Sequence, residues 1–299
     1  MILALALVSI LGLAVTACGD SAGGGNRGEP VSGRPLRVVA TTTPLADFAR
    51  VLSQGRAEVY DLLKANVDAH DYEPTPADLE AVRRADLVVK NGVGLEDWLE
   101  PALKSAGSKA RVVDTSADVA VRRGDPHIWH DPIRAKAMVS TLARAMREVD
   151  PGQAETYSAA EHAYLAELDA LDAEIRAQIH ALPNKKLVTN HDAFGYYVDR
   201  YGLDFVGAII PSFDSQAELS SRDLSALVAR IRSEGVRAVF SESSLPPKTA
   251  ETVAREAGVR VVAGEGALYG DSLGPPGSDA DTYLKMMRHN TRTIVEGLR

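Results

Sequence analysis

The chain has 299 residues, 45% apolar, 25% charged and 5% aromatic, with a formal net charge of −8. Length and composition suit a folded chain of two moderate domains. The lack of a basic cluster excludes a nucleic-acid surface, and a single cysteine, Cys18, excludes a disulfide framework or thiolate metal cluster.

Residues 1–17 are almost entirely apolar and end in Val15, Thr16 and Ala17, just before Cys18. The run is too short for a comfortable membrane span and fits a secretory signal peptide. The ending VTAC resembles a bacterial lipobox, which implies cleavage before Cys18 and a lipid anchor on its thiol. No Lys or Arg precedes the run, where a signal peptide normally carries one. Residues 18–35 begin as a tether rich in Gly and Ser. The folded part is therefore expected outside the cytoplasm, in the periplasm or at the cell surface.

An N-terminal lobe is expected over residues 36–150. Leu36 to Ala40 reads as a short buried strand, followed by a helix from Leu45 to about Leu52. Ala57 to Leu63 alternates as a second strand and runs into NVDAHDYEPTPADL. There Thr75 is placed to cap a helix and Pro76 to occupy its first position. Leu87 to Lys90 and Arg111 to Asp114 are the third and fourth strands, with a helix through Trp98 and Leu103 between them.

Then comes DPHIWHDP, Asp125 to Pro132. Pro126 removes a backbone donor and disfavours helical geometry at Asp125, so His127 is expected in a loop just ahead of a helix. That helix runs to about Val149, with Ile133, Met138, Leu142 and Met146 on repeating turns. From Gln153 to His180 no Gly or Pro interrupts a helical pattern. At 1.5 Å per residue it spans roughly 40 Å, a connecting spine over residues 151–182.

Residues 183–299 repeat the order of elements. KKLVTNHDAF parallels LRVVATTTPLADF, VRAVFSESS parallels DLVVKNGVG, and GVRVVAGEGALYGDSL parallels KARVVDTSADV. Strands alternating with helices predict an α/β fold of two lobes, each a parallel four-stranded sheet flanked by helices, joined by one long rigid helix. A last helix, about Asp281 to Leu298, turns Tyr283, Met286, Met287 and Ile294 inward.

Ligands of such sheets bind outside the carboxyl ends of the strands. Four metal-capable residues fall there: His70 after the second strand, His127 after the fourth, His191 after the first strand of the second half, and Asp271 after its fourth. Three imidazoles and a carboxylate suit one Zn²⁺ per chain, or alternatively Mn²⁺. His162, His180 and His289 read as ordinary surface or packed residues. His130, one turn from His127, reads as a supporting or packing residue, and Asp192 and Glu242 as acceptors for ligand imidazoles. HExxH, which would mark a zinc hydrolase, is absent. The low aromatic content argues against a siderophore or haem cleft.

The chain resembles the metal-binding solute-binding lipoproteins of bacterial zinc and manganese ABC importers. The likeness runs from about Leu36 to the C-terminus. It is carried by HDYEPTPADL, DPHIWHDP, VTNHDAFGYYVDRYGL, FSESS, LYGDSL and DTYLKMMRHN. It implies ligation by His70, His127, His191 and Asp271, an ABC permease as partner, a monomer, and metal transport rather than catalysis. His130 stands where the family usually has an aliphatic residue, and could itself compete as a ligand. The zinc-gathering His-rich loop of many zinc members is missing. Histidine at the third ligand position favours zinc over manganese. Affinity is expected to fall below about pH 6.5, where imidazoles protonate.

Overall fold

The structure, a computed structural model, describes residue 31 and residues 33–299. Cys18 and the signal-peptide and lipobox readings lie outside the described residues. Four strands, β1 (Leu36–Ala40), β2 (Ala57–Asp61), β3 (Leu87–Lys90) and β4 (Arg111–Asp114), form one parallel sheet in the order β2-β1-β3-β4. Strand periodicity explains its burial on both faces. Val38, Ala40, Leu87 and Val89 join one apolar cluster, whereas Val39 and Val88 join another on the opposite face.

Helix α1 (Thr43–Ser53) begins two residues before the expected Leu45, because Pro44 fits the first turn. Helix α2 (Pro76–Arg84) starts as the sequence predicts. Thr75 accepts from the Asp78 N–H, and Asp78 answers from the backbone N–H of Thr75. Helix α3 (Leu99–Ala106) precedes β4. A 3₁₀ turn, Ile128–His130, separates His127 from α4 (Pro132–Val149), which Asp131 caps by accepting from the Ile133 N–H. Met138, Leu142 and Met146 are fully buried as expected, but Ile133 is exposed. It sits in the first turn of α4, before the helix meets the core.

The spine is α5 (Ala154–His180). It does not cross open space. It lies against α1, α4, α6 (Gly195–Tyr201) and α9 (Tyr283–Leu298). Phe48 of α1 meets Tyr164 of α5 edge-on at 6.0 Å and Tyr283 of α9 at 4.9 Å. Tyr283, Met286, Met287 and Ile294 are all fully buried.

The second half carries four parallel strands as two hydrogen-bonded pairs. β5 (Lys186–His191) pairs with β6 (Asp204–Ile210), and β7 (Ala238–Phe240) pairs with β8 (Arg260–Val262). β5 lies beside β7 without a backbone ladder between them. β7 is three residues long, and β5 changes register between Leu187 and Val188. Helices α7 (Ser221–Glu234) and α8 (Lys248–Ala257) cover one face through Leu227, Ile231, Ala250 and Val253. No helix among the described residues is long and apolar enough to cross a membrane.

Candidate metal centre

The elements deliver His70, His127, His191 and Asp271 to one point, with their donor atoms all within 4.8 Å of one another. Nε2 of His127 lies 3.3 Å from Nε2 of His70 and 3.3 Å from Nε2 of His191. Asp271 Oδ1 lies 3.7, 3.4 and 3.5 Å from Nε2 of His70, His127 and His191 in turn. Five of the six separations are thus 3.3–3.7 Å, and a regular tetrahedron with such edges has its centre about 2.0–2.3 Å from each corner, close to Zn–N and Zn–O bond lengths. His127 and His191 are fully buried, and Asp271 is buried as well. His70 alone stands at the rim.

Local sequence explains each position. Asp-x-His occurs twice, at Asp68–His70 and Asp125–His127. In both, the Asp side chain accepts the N–H of the histidine two residues on, at 2.9 and 3.0 Å, the turn that Asp favours. Asp125 Oδ1 also accepts from His127 Nδ1 at 2.8 Å. With its proton on Nδ1, His127 aims a bare Nε2 lone pair into the site. The Pro126 carbonyl accepts from Asn91 Nδ2 at 2.8 Å. Buried Glu96 in turn accepts from the N–H groups of Asn91 and Gly92 and from the Thr41 hydroxyl. The loop bearing His127 is thus braced against the ends of β1 and β3.

His191 is the last residue of β5. Its N–H donates to Glu242 Oε1 at 2.9 Å, and its Nδ1 lies 2.9 Å from Glu242 Oε2. That second contact has hydrogen-bond length, although it falls outside good hydrogen-bond geometry. The distance to a buried carboxylate is what matters electrostatically. Asp271 follows Tyr269, whose N–H and carbonyl are both held by the Asn290 amide of α9, at 2.9 and 2.8 Å. The Gly270 carbonyl between them accepts from Trp129 Nε1 and His130 Nε2.

A family model described as zinc-uptake complex component A, periplasmic, matches residues 38–297. The chain belongs to this family. Among its relatives is the manganese-binding lipoprotein MntA of Halalkalibacterium halodurans, 32% identical, covering 98% of this chain and 97% of that one. The zinc-binding protein TroA of Treponema pallidum is also 32% identical, over 92% of each. The solved structure of periplasmic zinc-binding TroA superposes with a TM-score of 0.80 at 30% identity, covering 89% of this chain and 99% of that one.

In this zinc-uptake family member, the centre is electrostatically poised for a cation. Burial works against a charge on His191, but the nearby carboxylates of Glu242 and Asp271 overcome it and raise its pKa well above the usual imidazole value. Burial likewise opposes protonation of His127, while the hydrogen bond with Asp125 and the nearby carboxylate of Asp271 carry its pKa upward. His70 goes the other way, because burial outweighs the attraction of Asp271. Burial resists ionisation of Asp271, yet His191 and His127 hold it well below the carboxylate range.

Of the supporting residues, Glu242 lies against His191. Asp192 Oδ1, by contrast, is buried without a partner, and among the described residues it makes no hydrogen bond to an imidazole of the site. The chain turns at the end of β5, where the Asp192 N–H donates to the Ser212 carbonyl. His130 is fully buried next to the centre, its pKa pushed down to about 3 by burial and by His127. It is not among the converging donors. His162 and His180 are exposed, and His289 is packed elsewhere, against Asp279 and the Ala267 carbonyl. Sequence reasoning missed Asp125, Asp68, Asn290 and Gly270. The repeated Asp-x-His was the available signal for the first two. The other two act across the fold, and nothing local marks them.

Proposed function

We propose that the chain captures one divalent transition-metal ion outside the cytoplasm and hands it to the membrane permease of an ABC importer, with Zn²⁺ the favoured cargo. The observation that carries the reading is the convergence of three Nε2 atoms and one carboxylate oxygen at tetrahedral spacing. His70, His127, His191 and Asp271 are the ligands in this proposal. Four protein donors fill a tetrahedral shell and leave no position for a reacting water, which suits a carrier and not a hydrolase. Asp125 and Glu242 orient His127 and His191 and raise their basicity as metal ligands. We further infer a signal peptide at 1–17, a tether at 18–35 lipidated at Cys18, lobes at 36–150 and 183–299 around the linking segment 151–182, and a monomer in solution.

A Mn²⁺ cargo is the second reading. It draws support from Asp271 Oδ2, whose one hydrogen bond among the described residues is a long 3.4 Å approach of the Ser244 hydroxyl. A second carboxylate oxygen could expand the shell toward the higher coordination of manganese. Calorimetric titration of metal-free protein with Zn²⁺ and Mn²⁺, repeated with His191→Glu, separates the two. Zinc is expected to bind the unmodified protein more tightly at one ion per chain, and the Glu variant to move the preference toward manganese. Tighter binding of manganese to the unmodified protein sinks the zinc assignment. Failure to bind either ion sinks the function.

A further inference from the structure

We propose that His130 is a positioning residue for this site. Its imidazole fastens the loop that carries Asp271 to the turn that follows His127, and so sets how long a bound ion is held. The inference rests on the metal-site reading above and deepens it.

His130 Nε2 lies 2.9 Å from the Gly270 carbonyl oxygen. A carbonyl only accepts, so Nε2 carries the proton and Nδ1 is bare. The same oxygen takes Trp129 Nε1 at 3.0 Å. Two donors from adjacent residues of one 3₁₀ turn thus meet both lone pairs of the carbonyl just ahead of Asp271. The His130 ring is held in place by Phe194, at 4.5 Å between centroids and 31° between planes. Its Nδ1 is buried with no partner among the described residues. An aliphatic side chain would fill this space without leaving a polar atom unpaired. The bond to Gly270 is the one polar contact that distinguishes the imidazole from such a side chain here.

The bond joins two stretches 140 residues apart in sequence, one bearing a ligand from the first lobe and the other a ligand from the second. The Asp271 carboxylate has little else to fix it. Its Oδ1 has no hydrogen-bond partner and its Oδ2 only the distant Ser244. Its place is set by its backbone, which Asn290 holds at Tyr269 and the Thr43 hydroxyl holds at Leu273, and Gly270 is the gripped residue next to Asp271 itself. Losing one of two donors lowers the cost of swinging Asp271 away, which is a step any release of the ion requires.

The test is stopped-flow release of Zn²⁺ from the loaded full-length protein into excess chelator. His130→Leu is expected to release the ion about two- to tenfold faster, the range of one net hydrogen bond, with stoichiometry still one. His130→Gln, whose amide nitrogen can reach the place of Nε2, is expected to restore the slow rate. In an Asp271→Ala background, His130→Leu is expected to add nothing, since the group being positioned is gone. An equal acceleration in that background, an unchanged rate in His130→Leu alone, or loss of the ion from that variant each overturns the proposal. Amide hydrogen exchange on metal-free protein is the second readout. Residues 268–273 should exchange faster in His130→Leu and normally in His130→Gln, with β5 and β7 unaffected. Unchanged exchange there defeats the positioning role even if no ion binds, whereas an unmodified protein that binds no ion defeats the metal-site reading instead.

Discussion

At the scale of single residues, Gly270 is held from three sides. Its carbonyl takes two indole and imidazole donors, and its Cα faces the carboxylate that steadies His191. A Cβ built there would lie 2.1 Å from Glu242 Oε2 and 3.4 Å from His191 Cε1. Gly270→Ala must therefore push Glu242 off His191. Removing such a partner weakens metal binding about 10- to 100-fold, a loss that competition against a chromophoric chelator reads directly. Glu242 also governs the response to pH. Because nearby carboxylates raise the pKa values of His191 and His127, protons compete with the ion at pH values where a free imidazole is already neutral. Affinity for Zn²⁺ is thus expected to begin falling, on acidification, above the pH of about 6.5 at which free imidazole titrates. Glu242→Gln removes the anion that favours protonated His191, so it should shift that fall to lower pH while weakening binding on the alkaline plateau. Titrations between pH 5 and 8.5, in buffers of different ionisation enthalpy to count released protons, test both halves. A fall that keeps its midpoint in the variant would detach Glu242 from His191.

At the scale of elements, a helix of the first half and a helix of the second meet at one buried carboxylate. Asp47 of α1 accepts the N–H of Tyr283, the first residue of α9, at 2.9 Å. Burial raises the pKa of Asp47 to about 6, despite that hydrogen bond and nearby Arg50. A carboxyl whose folded pKa exceeds its unfolded one near 3.8 binds its proton better in the native state. Its charge therefore subtracts stability as pH rises from about 4 to about 6 and throughout the range above. Asp47→Asn keeps an acceptor for Tyr283 and removes the charge. It should stabilise the metal-free protein at pH 7.5 by up to about 3 kcal/mol, the equivalent of some two pKa units, and by almost nothing at pH 4. Urea unfolding at the two pH values decides it, and equal effects at both would contradict the charge argument. Elements were also where the sequence was most readable. β3, β4, α2 and the 27-residue α5 follow from apolar runs, Pro-opened first turns and an uninterrupted helical period, all local signals. The convergence of His70, His127, His191 and Asp271 is legible for a related reason, because strand ends mark where a parallel sheet collects its ligands. Pairing was less readable. The missing ladder between β5 and β7, the register shift of β5 on β6 at Leu187 and the three-residue length of β7 are features that periodicity does not encode. Asp192 and Glu242 looked equivalent in sequence, and only the course of the chain after His191 tells them apart.

At the scale of the whole molecule, the two halves share a core. One buried apolar cluster runs from Leu36 in β1, through Leu168 and Ile175 of the spine, to Leu298 at the end of α9. Arg200 of α6 makes two 2.8 Å bonds to Asp172 of the spine and lies 3.5 Å from Asp131, the cap of α4. Asp68, beside His70, accepts from the Ser215 hydroxyl and the Gln216 amide across the mouth of the site, at 2.5 and 3.0 Å. Rotating one half against the other would tear that core, at roughly 25 cal/mol for each Å² of apolar surface exposed. The loops carrying His70, His127 and Asp271 can move without exposing it. Loading and unloading are therefore expected to proceed by loop opening over a fixed scaffold. Two measurements on the same samples test this. Zn²⁺ at a hundredfold excess over its dissociation constant should stabilise the protein by about 2.7 kcal/mol, which raises the unfolding midpoint on the order of 5 °C for a chain of this size. Small-angle scattering of metal-free and loaded protein should give the same radius of gyration, while hydrogen exchange slows at residues 66–72, 125–130 and 268–273. A radius that contracts on loading would mean that the halves close on the ion as rigid bodies, and the shared core would then have to be far more yielding than its packing implies.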